Sequence, residues 1–359
     1  MTAPKTAPRT VGFVRRHDSL GGCPVESDGG PGRRTSRSIR GRYPCAPGRG
    51  GIGLPSWEVA MNSTTFGHVS SGASDIRRLA RGIDGARCQD PRAAKLAARA
   101  IIRPIDYMRW AEFEAVLRML ALSPGQKVLD VASPQWFTLH LAARHPEVQF
   151  SYINILESEV EPYRAIADTL GLRNVEYGLG DVRNLSWPAA TFDAVVSISV
   201  LEHIYPEVGG DVLAFQDIRR VLRPEGALVL TVPCKAQRSV VYMDGPVYER
   251  GEGGKNFFAS EYDMDSFHDL VSHTGFQVDE EWRIEEQPGL FAVDHWEWGE
   301  GRTKGLWPWL LRKRGKLERL TGISFDEVFA KRHLQVNKMP GGRLVNVAAR
   351  LKPRMDLPQ

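Results

Sequence analysis

Cysteine is scarce in this chain: four in 359 residues, at positions 23, 45, 88 and 234, with no pair at metal-ligand or redox spacing. That excludes a zinc knuckle and a disulfide framework, and it points to a reducing, cytoplasmic compartment and no metal site. Long apolar runs are missing too, since nothing approaches the roughly 18 residues of a membrane-spanning helix. The first 60 residues contain no apolar segment of the kind a secretory signal needs, and no internal repeat is visible. A surplus of one charge is absent from most of the chain. The net charge is +4, but the first 60 residues hold 10 Lys/Arg against 4 Asp/Glu, and the rest holds 37 against 39. The basicity therefore belongs to the tail and says nothing about what the remainder binds. A nucleic-acid partner is not expected for a body without basic excess.

The tail, residues 1–60, is rich in Gly, Pro and Arg and shows neither helical nor strand periodicity, so it cannot build a core. It reads as an extension outside the fold, or as translated upstream sequence preceding a true start at Met61. Residues 61–102 read as a helical lead-in. The helical pattern continues through residues 91–122, with Pro104 expected to divide it. Ile105, Met108, Phe113, Val116, Leu117 and Leu120 roughly mark the apolar face of its second half.

From residue 127 the pattern changes. KVLDVASPQWF (127–137) is an apolar strand delivering Asp130 before a turn. VQFSYINI (148–155), VEYGLGDV (175–182), FDAVVSISVLEHI (192–204) and VLRPEGALVLTVP (221–233) follow, separated by helical stretches. Strands and helices alternating at this spacing imply right-handed βαβ units and a parallel sheet. In such sheets a ligand binds beyond the carboxyl ends of the strands, and those ends carry Asp130, Asn154, Asp181 and Ser199.

In this order of elements, and in GDVRNLSWPAATFDAVVS (180–197) and SVLEHI (199–204), the chain resembles the class I S-adenosylmethionine-dependent methyltransferases, in particular the group acting on small molecules. The resemblance covers roughly residues 103–284 as the core and a final strand in 343–359. It implies an α/β, Rossmann-like, doubly wound sheet of seven mostly parallel strands whose last strand is antiparallel. The family's acid-x-Gly-x-Gly-x-Gly loop is replaced by Asp130-Val131-Ala132-Ser133-Pro134-Gln135-Trp136, with no glycine in it.

S-adenosylmethionine is the implied cofactor, and Asp130, Ala132, Ser133, Asn154, Ile155, Asp181, Val182 and Ser199 are its expected contacts. Ala132 permits close approach of backbone to ligand provided its φ stays negative. Ser133 and Pro134 form a favourable N-cap and N1 pair. A helix starting there turns its positive end toward the cofactor carboxylate. Asn154 stands where the family keeps an acid for the ribose; Asn offers one acceptor and two donors, and Glu157 is a substitute. Asp181 is expected to accept from the adenine amine, with the Val182 N–H on a ring nitrogen. Tyr107 and Arg109 are candidates for the methionine end, while Asp193 is expected to cap its strand.

Ser199, Glu202 and His203 lie where the family brings the reacting methyl. His203 is the candidate base for a hydroxyl acceptor, with Glu202 beside it, because His is the side chain most easily poised near neutral pH. Residues 240–263 have the composition of a mobile substrate loop. The acceptor is expected to be a small molecule, a glycan or lipid-linked intermediate among the options, methylated at oxygen. Residues 285–342 read as a Trp-rich insertion or lid, in which 305–316 resembles an interfacial amphipathic segment able to rest on a membrane. Two other readings stay open: a methyltransferase-like binding protein without turnover, and a nicotinamide-dependent oxidoreductase. The latter lacks the glycines and the acid that its fingerprint requires. No Asn/Asp-Pro-Pro-aromatic base-flipping motif is present.

Overall fold

The computed structural model describes residues 66–83, 88, 90–248, 250, 251, 253–287 and 314–356. All of them lie in one compact unit, Ser63–Gln359. The expectations for the tail 1–60, and for the Trp-rich and membrane-facing segment up to residue 313, lie outside the described residues. Among the described residues no helix is long and apolar enough to cross a membrane.

Eight strands form one sheet in the order β3-β2-β1-β4-β5-β10-β8-β9. Strands β1 (Lys127–Val131), β2 (Gln149–Asn154), β3 (Val175–Leu179), β4 (Phe192–Ile198) and β5 (Leu222–Pro233) run parallel to their neighbours. Strand β10 (Arg343–Pro353) enters antiparallel between β5 and β8 (Phe276–Glu286). The expected sheet had seven strands. The eighth, β9 (Leu334–Asn337), pairs with β8 at the edge, and its four residues are too few for an alternation to be read. Residues 240–263 differ as well: β6 (Ser239–Asp244) and β7 (Lys255–Glu261) pair as a separate antiparallel hairpin.

The strands sort their side chains by the two-residue period. Val128, Phe150, Tyr152, Ala194 and Val196 face a core shared with helices α1 (Gly67–Arg81), α2 (Pro91–Ile102), α3 (Tyr107–Met119), α4 (Gln135–Arg144) and α5 (Glu157–Leu170). Leu129, Val131, Ile153 and Val195 face the opposite core with α6 (Gly210–Val221) and α7 (Met264–His273). Helices on both faces leave the carboxyl ends of β1 to β4 as the open rim, which positions the site. Pro104 falls between α2 and α3. Local signals set most helix ends: Asp90 accepts from the N–H groups of Arg92 and Ala93 ahead of Pro91, and Asp263 and Ser266 form a capping box on α7. The left-handed Gly171 closes α5.

Helix α3 is buried on nearly every side, so its two glutamates act as internal joints. Glu114 accepts from the Val69 N–H at 2.9 Å and from Arg118 Nε at 2.9 Å, and lies 3.0 Å from His68 Nδ1, placing a carboxylate at the start of α1. Glu112, fully buried, accepts from Thr231 Oγ1 of β5 at 3.0 Å and Asn346 Nδ2 of β10 at 2.8 Å, and also from Ser199 Oγ and Arg109.

The turn after β1 departs from expectation in two ways. Ala132 has φ of +52°, so close approach with negative φ is not what the chain does. Ser133 is not the cap of α4: Pro134 takes that position with no side-chain cap, and Ser133 Oγ accepts instead from the Ile198 N–H of β4 at 3.1 Å. With Pro134 offering no N–H, the turn is held by Ala132 N–H donating to Ile153 O at 2.8 Å and Ser133 N–H donating to Asp130 at 3.0 Å. Left-handed backbone costs a residue with a Cβ roughly 1–2 kcal/mol.

Two stability outcomes follow from these joints. Ala132→Gly should raise unfolding free energy by about 1 kcal/mol after its greater unfolded-state entropy is subtracted. A loss of stability in denaturant titration would mean that the left-handed turn is absent. Glu112→Ala should lower stability by about 3–5 kcal/mol, because it strands Arg109 and three neutral donors. Glu112→Gln should cost less, keeping an acceptor oxygen for Thr231 and Asn346; unchanged midpoints in both would remove Glu112 as the joint.

Candidate functional site

The rim is assembled from four strand ends. At β1, Asp130 is 1% exposed and accepts from Ser133 N–H at 3.0 Å and Thr138 Oγ1 at 2.7 Å. Burial pushes its carboxyl up to about 6, against the lowering effect of those donors. Its carboxylate is spent on shaping the turn. Ala132 is half-buried above it, and the helix behind has first-turn N–H groups without intrahelical acceptors. Gln135 Nε2 spans from α4 to the α5 start, donating to Glu159 Oε2 at 2.6 Å.

At β2, Asn154 Oδ1 accepts from the Leu156 N–H at 3.0 Å, and its Nδ2 donates to Tyr152 Oη at 3.3 Å. One lone pair and one N–H of the amide remain for other partners. Ile155 beside it is 53% exposed, and Leu179, paired with Asn154 across the ladder, is 60% exposed. Two aliphatic side chains thus stand open at adjacent strand ends. Glu157 is exposed at the start of α5.

After β3, Asp181 is half-buried and receives Arg183 through Nε at 3.0 Å, Nη2 at 2.5 Å and its backbone N–H at 2.9 Å. These bonds hold its carboxyl below the usual range, Arg183 being the largest cause. Val182 is buried. Arg183 also donates to the Tyr205 carbonyl, tying the β3 end to the turn after β4.

That turn is the most constrained part. Ser199 has φ of +49°. Its N–H donates to Thr231 O at 2.9 Å and Thr231 Oγ1 at 3.1 Å, and its hydroxyl donates to Glu112. A short 3₁₀ turn, Leu201–His203, follows. Glu202 is 2% exposed and its Oε2 has no hydrogen-bond partner. Burial pushes its carboxyl up to about 8, so it is protonated at neutral pH. His203 Nδ1 lies 2.7 Å from the Phe258 carbonyl, which can only accept, so Nδ1 carries the proton. Its Nε2 is 3.6 Å from Glu202 Oε1. Burial pulls the imidazole down to about 4, leaving it neutral with its lone pair on Nε2.

The β6–β7 hairpin covers this turn. The Phe258 and Tyr248 rings pack on His203 at 4.6 and 5.5 Å between centroids. The other sequence candidates lie elsewhere. Tyr107 is buried and donates to Glu286 Oε1 of β8 at 2.8 Å, and Arg109 pairs with Glu112. Asp193 lies at the opposite end of the sheet, accepting from Lys127 N–H at 2.8 Å and from Arg223. No group of three His, Cys, Asp or Glu able to hold a metal occurs among the described residues.

Sequence reasoning missed Glu112, Thr231, Asn346, Phe258 and Arg250. The one legible signal was Glu112 itself, one of two acids flanking Phe113 in α3. The other four act through contacts that only the tertiary fold creates.

Residues 129–230 match the family model of a methyltransferase domain. No curated protein matches the sequence. Among solved structures, the [4+2]-cyclase SpnF is 16% identical, with 70% of this chain and 83% of that chain covered and a TM-score of 0.45. An S-adenosylmethionine-dependent methyltransferase from Methanosarcina mazei is 13% identical over 66% of this chain and 95% of that one, at a TM-score of 0.42. One from Aquifex aeolicus is 20% identical over 51% and 90%, at 0.37. At these identities and scores nothing about activity is carried over from them. The matched methyltransferase domain spans β1 to β5 and the crevice at their ends, and S-adenosylmethionine is the cofactor which that match supports.

Proposed function

We propose that the chain transfers the methyl group of S-adenosylmethionine to an oxygen atom of a small-molecule acceptor, with glycans and lipid-linked intermediates inside that class. The observation that carries the reading is His203: a neutral imidazole just past β4, its Nδ1 proton committed to the Phe258 carbonyl and its Nε2 lone pair uncommitted. Such a group takes the proton of a hydroxyl as the oxygen attacks.

The rim has features that fit the cofactor. Ile155 and Leu179 offer aliphatic surfaces for a purine, 53% and 60% exposed. Asp181, with the Val182 N–H beside it, is assigned to the adenine edge and Asn154 to a ribose hydroxyl. The start of α4, with Ala132 and Ser133, is assigned to the methionine carboxylate. Bound there, the cofactor supplies a methyl on a sulfonium with an intrinsically good leaving group, so much of the rate comes from positioning. The chain supplies that positioning through Ser199, pinned between Thr231 and Glu112. Glu202, protonated at neutral pH, adds no negative charge to attract the proton away from His203. The β6–β7 hairpin packs Phe258 and Tyr248 against the His203 ring. The cytoplasmic setting expected from the cysteines goes with this reading; Cys88 and Cys234 are free and buried.

Calorimetric titration of S-adenosylmethionine is the test. Micromolar binding with S-adenosylhomocysteine competing, and none of NADH, is the expected result; absence of both sulfur nucleosides would overturn it. Asp181→Ala should weaken the cofactor by about tenfold through loss of a charge-assisted hydrogen bond, and unchanged affinity would remove Asp181 from the adenine edge.

Glu202 gives a pH signature. Its folded pKa is raised above the unfolded value, so its contribution is fully present below about 4.5 and is lost as pH rises through about 8. Glu202→Gln should therefore raise the melting temperature at pH 8.5 by a few degrees and leave it nearly unchanged near pH 4. An equal shift at both pH values would show that the carboxyl titrates normally.

A further inference from the structure

The hairpin over the site carries a cation that no carboxylate among the described residues pairs with. Arg250 lies between β6 and β7, its backbone exchanging two 2.9 Å hydrogen bonds with Val247. Its guanidinium sits over the Tyr205 ring at 4.7 Å and 6.0 Å from the Tyr248 centroid. Its Nε is buried and has no hydrogen-bond partner. Among the described residues it forms no ion pair with a carboxylate. The nearby acid, Asp181, is engaged in a bidentate manner by Arg183. Burial, and then the charge of Arg183, both disfavour the cation on Arg250.

A half-buried guanidinium without a partner costs stability, and a protein that keeps one beside its reacting groups has a use for the charge. Arg250 is one of the groups whose charge depresses His203, so whatever neutralises Arg250 sits close to the base. Next to it the surface is apolar and open: Tyr205 is 50% exposed, Val208 86% and Tyr242 46%. Tyr242 donates to Glu207 at 2.7 Å, which joins the hairpin to that loop.

We propose that the methyl acceptor is an anion, bearing a carboxylate or a phosphate that Arg250 binds between the Tyr205 and Tyr248 rings, with an apolar or aromatic remainder on the adjoining surface. This rests on the methyltransferase reading and narrows its acceptor. Arg, with five donors in a planar fork, is suited to either anion. The acceptor's charge also relieves the repulsion between Arg250 and a protonated His203, so binding makes the base stronger.

The test is calorimetric titration of the full chain, loaded with S-adenosylhomocysteine, with benzoate, phenyl phosphate and neutral benzyl alcohol. At least one anion should bind saturably at millimolar concentration and about tenfold more tightly than the alcohol; which of the two it is distinguishes carboxylate from phosphate. Arg250→Gln should abolish the preference while leaving S-adenosylhomocysteine affinity within about twofold, which also reports that the variant is folded, and Arg250→Lys should keep part of it. Equal binding of all three probes, no binding of either anion, or a preference surviving in Arg250→Gln would overturn the proposal. Repeating the anion titrations without the nucleoside keeps this result separate from a failure of cofactor binding.

Discussion

Much of the site depends on one buried carboxylate. Glu112 receives the hydroxyls of Ser199 and Thr231, the amide of Asn346 and the guanidinium of Arg109. These donors come from α3 itself, the β4 end, β5 and β10, elements separated by up to 234 positions in sequence. A charge in the interior is tolerable only when its lone pairs are filled, and the donors are equally obliged to find it. That mutual obligation fixes the helix against the sheet and sets the height of the turn after β4. Arg109, which burial alone would depress, is kept charged by Glu112. An apolar contact of the same area would hold α3 on the sheet without specifying which residue of β4 faces it.

The same region concentrates strained backbone. Ala132 and Ser199 both have left-handed φ, and they sit at the ends of neighbouring strands, β1 and β4. Each is over-determined by hydrogen bonds: Ala132 by the Ile153 carbonyl, Ser199 by Thr231 and Glu112. Strain of this kind persists where the surroundings hold it. The glycine-less turn is therefore no obstacle to the fold. Ala132 adopts the backbone that glycine would favour, and Pro134 leaves no N–H to be satisfied at the cap of α4.

The order of strands and helices was readable because it rests on local signals: the two-residue alternation within strands, Pro104 between helices, Gly171 after α5 and the caps at Asp90 and Asp263. Six of the eight strands of the main sheet, β1 to β5 and β10, fall in the segments read above as strands. The edge strand β9 has only four residues, and the β6–β7 hairpin hid in a stretch whose glycines and acids read as loop. The candidate site was legible as a set of strand-end positions, not as interactions. Asp130 and Ser133 have the predicted addresses, yet Asp130 is turned inward to Thr138 and Ser133 reaches across to β4. Tyr107 was read toward the cofactor and is hydrogen-bonded to Glu286 on β8. Which way a polar side chain turns is decided by donors from distant elements, and one-dimensional spacing carries no record of them.

Burial works on charge in opposite directions on the two sides of the crevice. Beneath it, desolvation protonates Glu202 and keeps His203 neutral, so two titratable neighbours coexist without forming an ion pair. In such an arrangement a proton moving from an acceptor to Nε2 creates a charge where there was none, and that charge needs a stabilising field. Glu112, on the far side of Ser199, is committed to Arg109 and supplies little of it. Above the crevice, Arg183 has spent its charge on Asp181, while Arg250 opposes any cation that forms on His203. Among the described side chains of the hairpin, none supplies the field that an imidazolium requires. On the proposed reading, in which His203 is the base and the acceptor an anion, a negative group lying against Arg250 restores it.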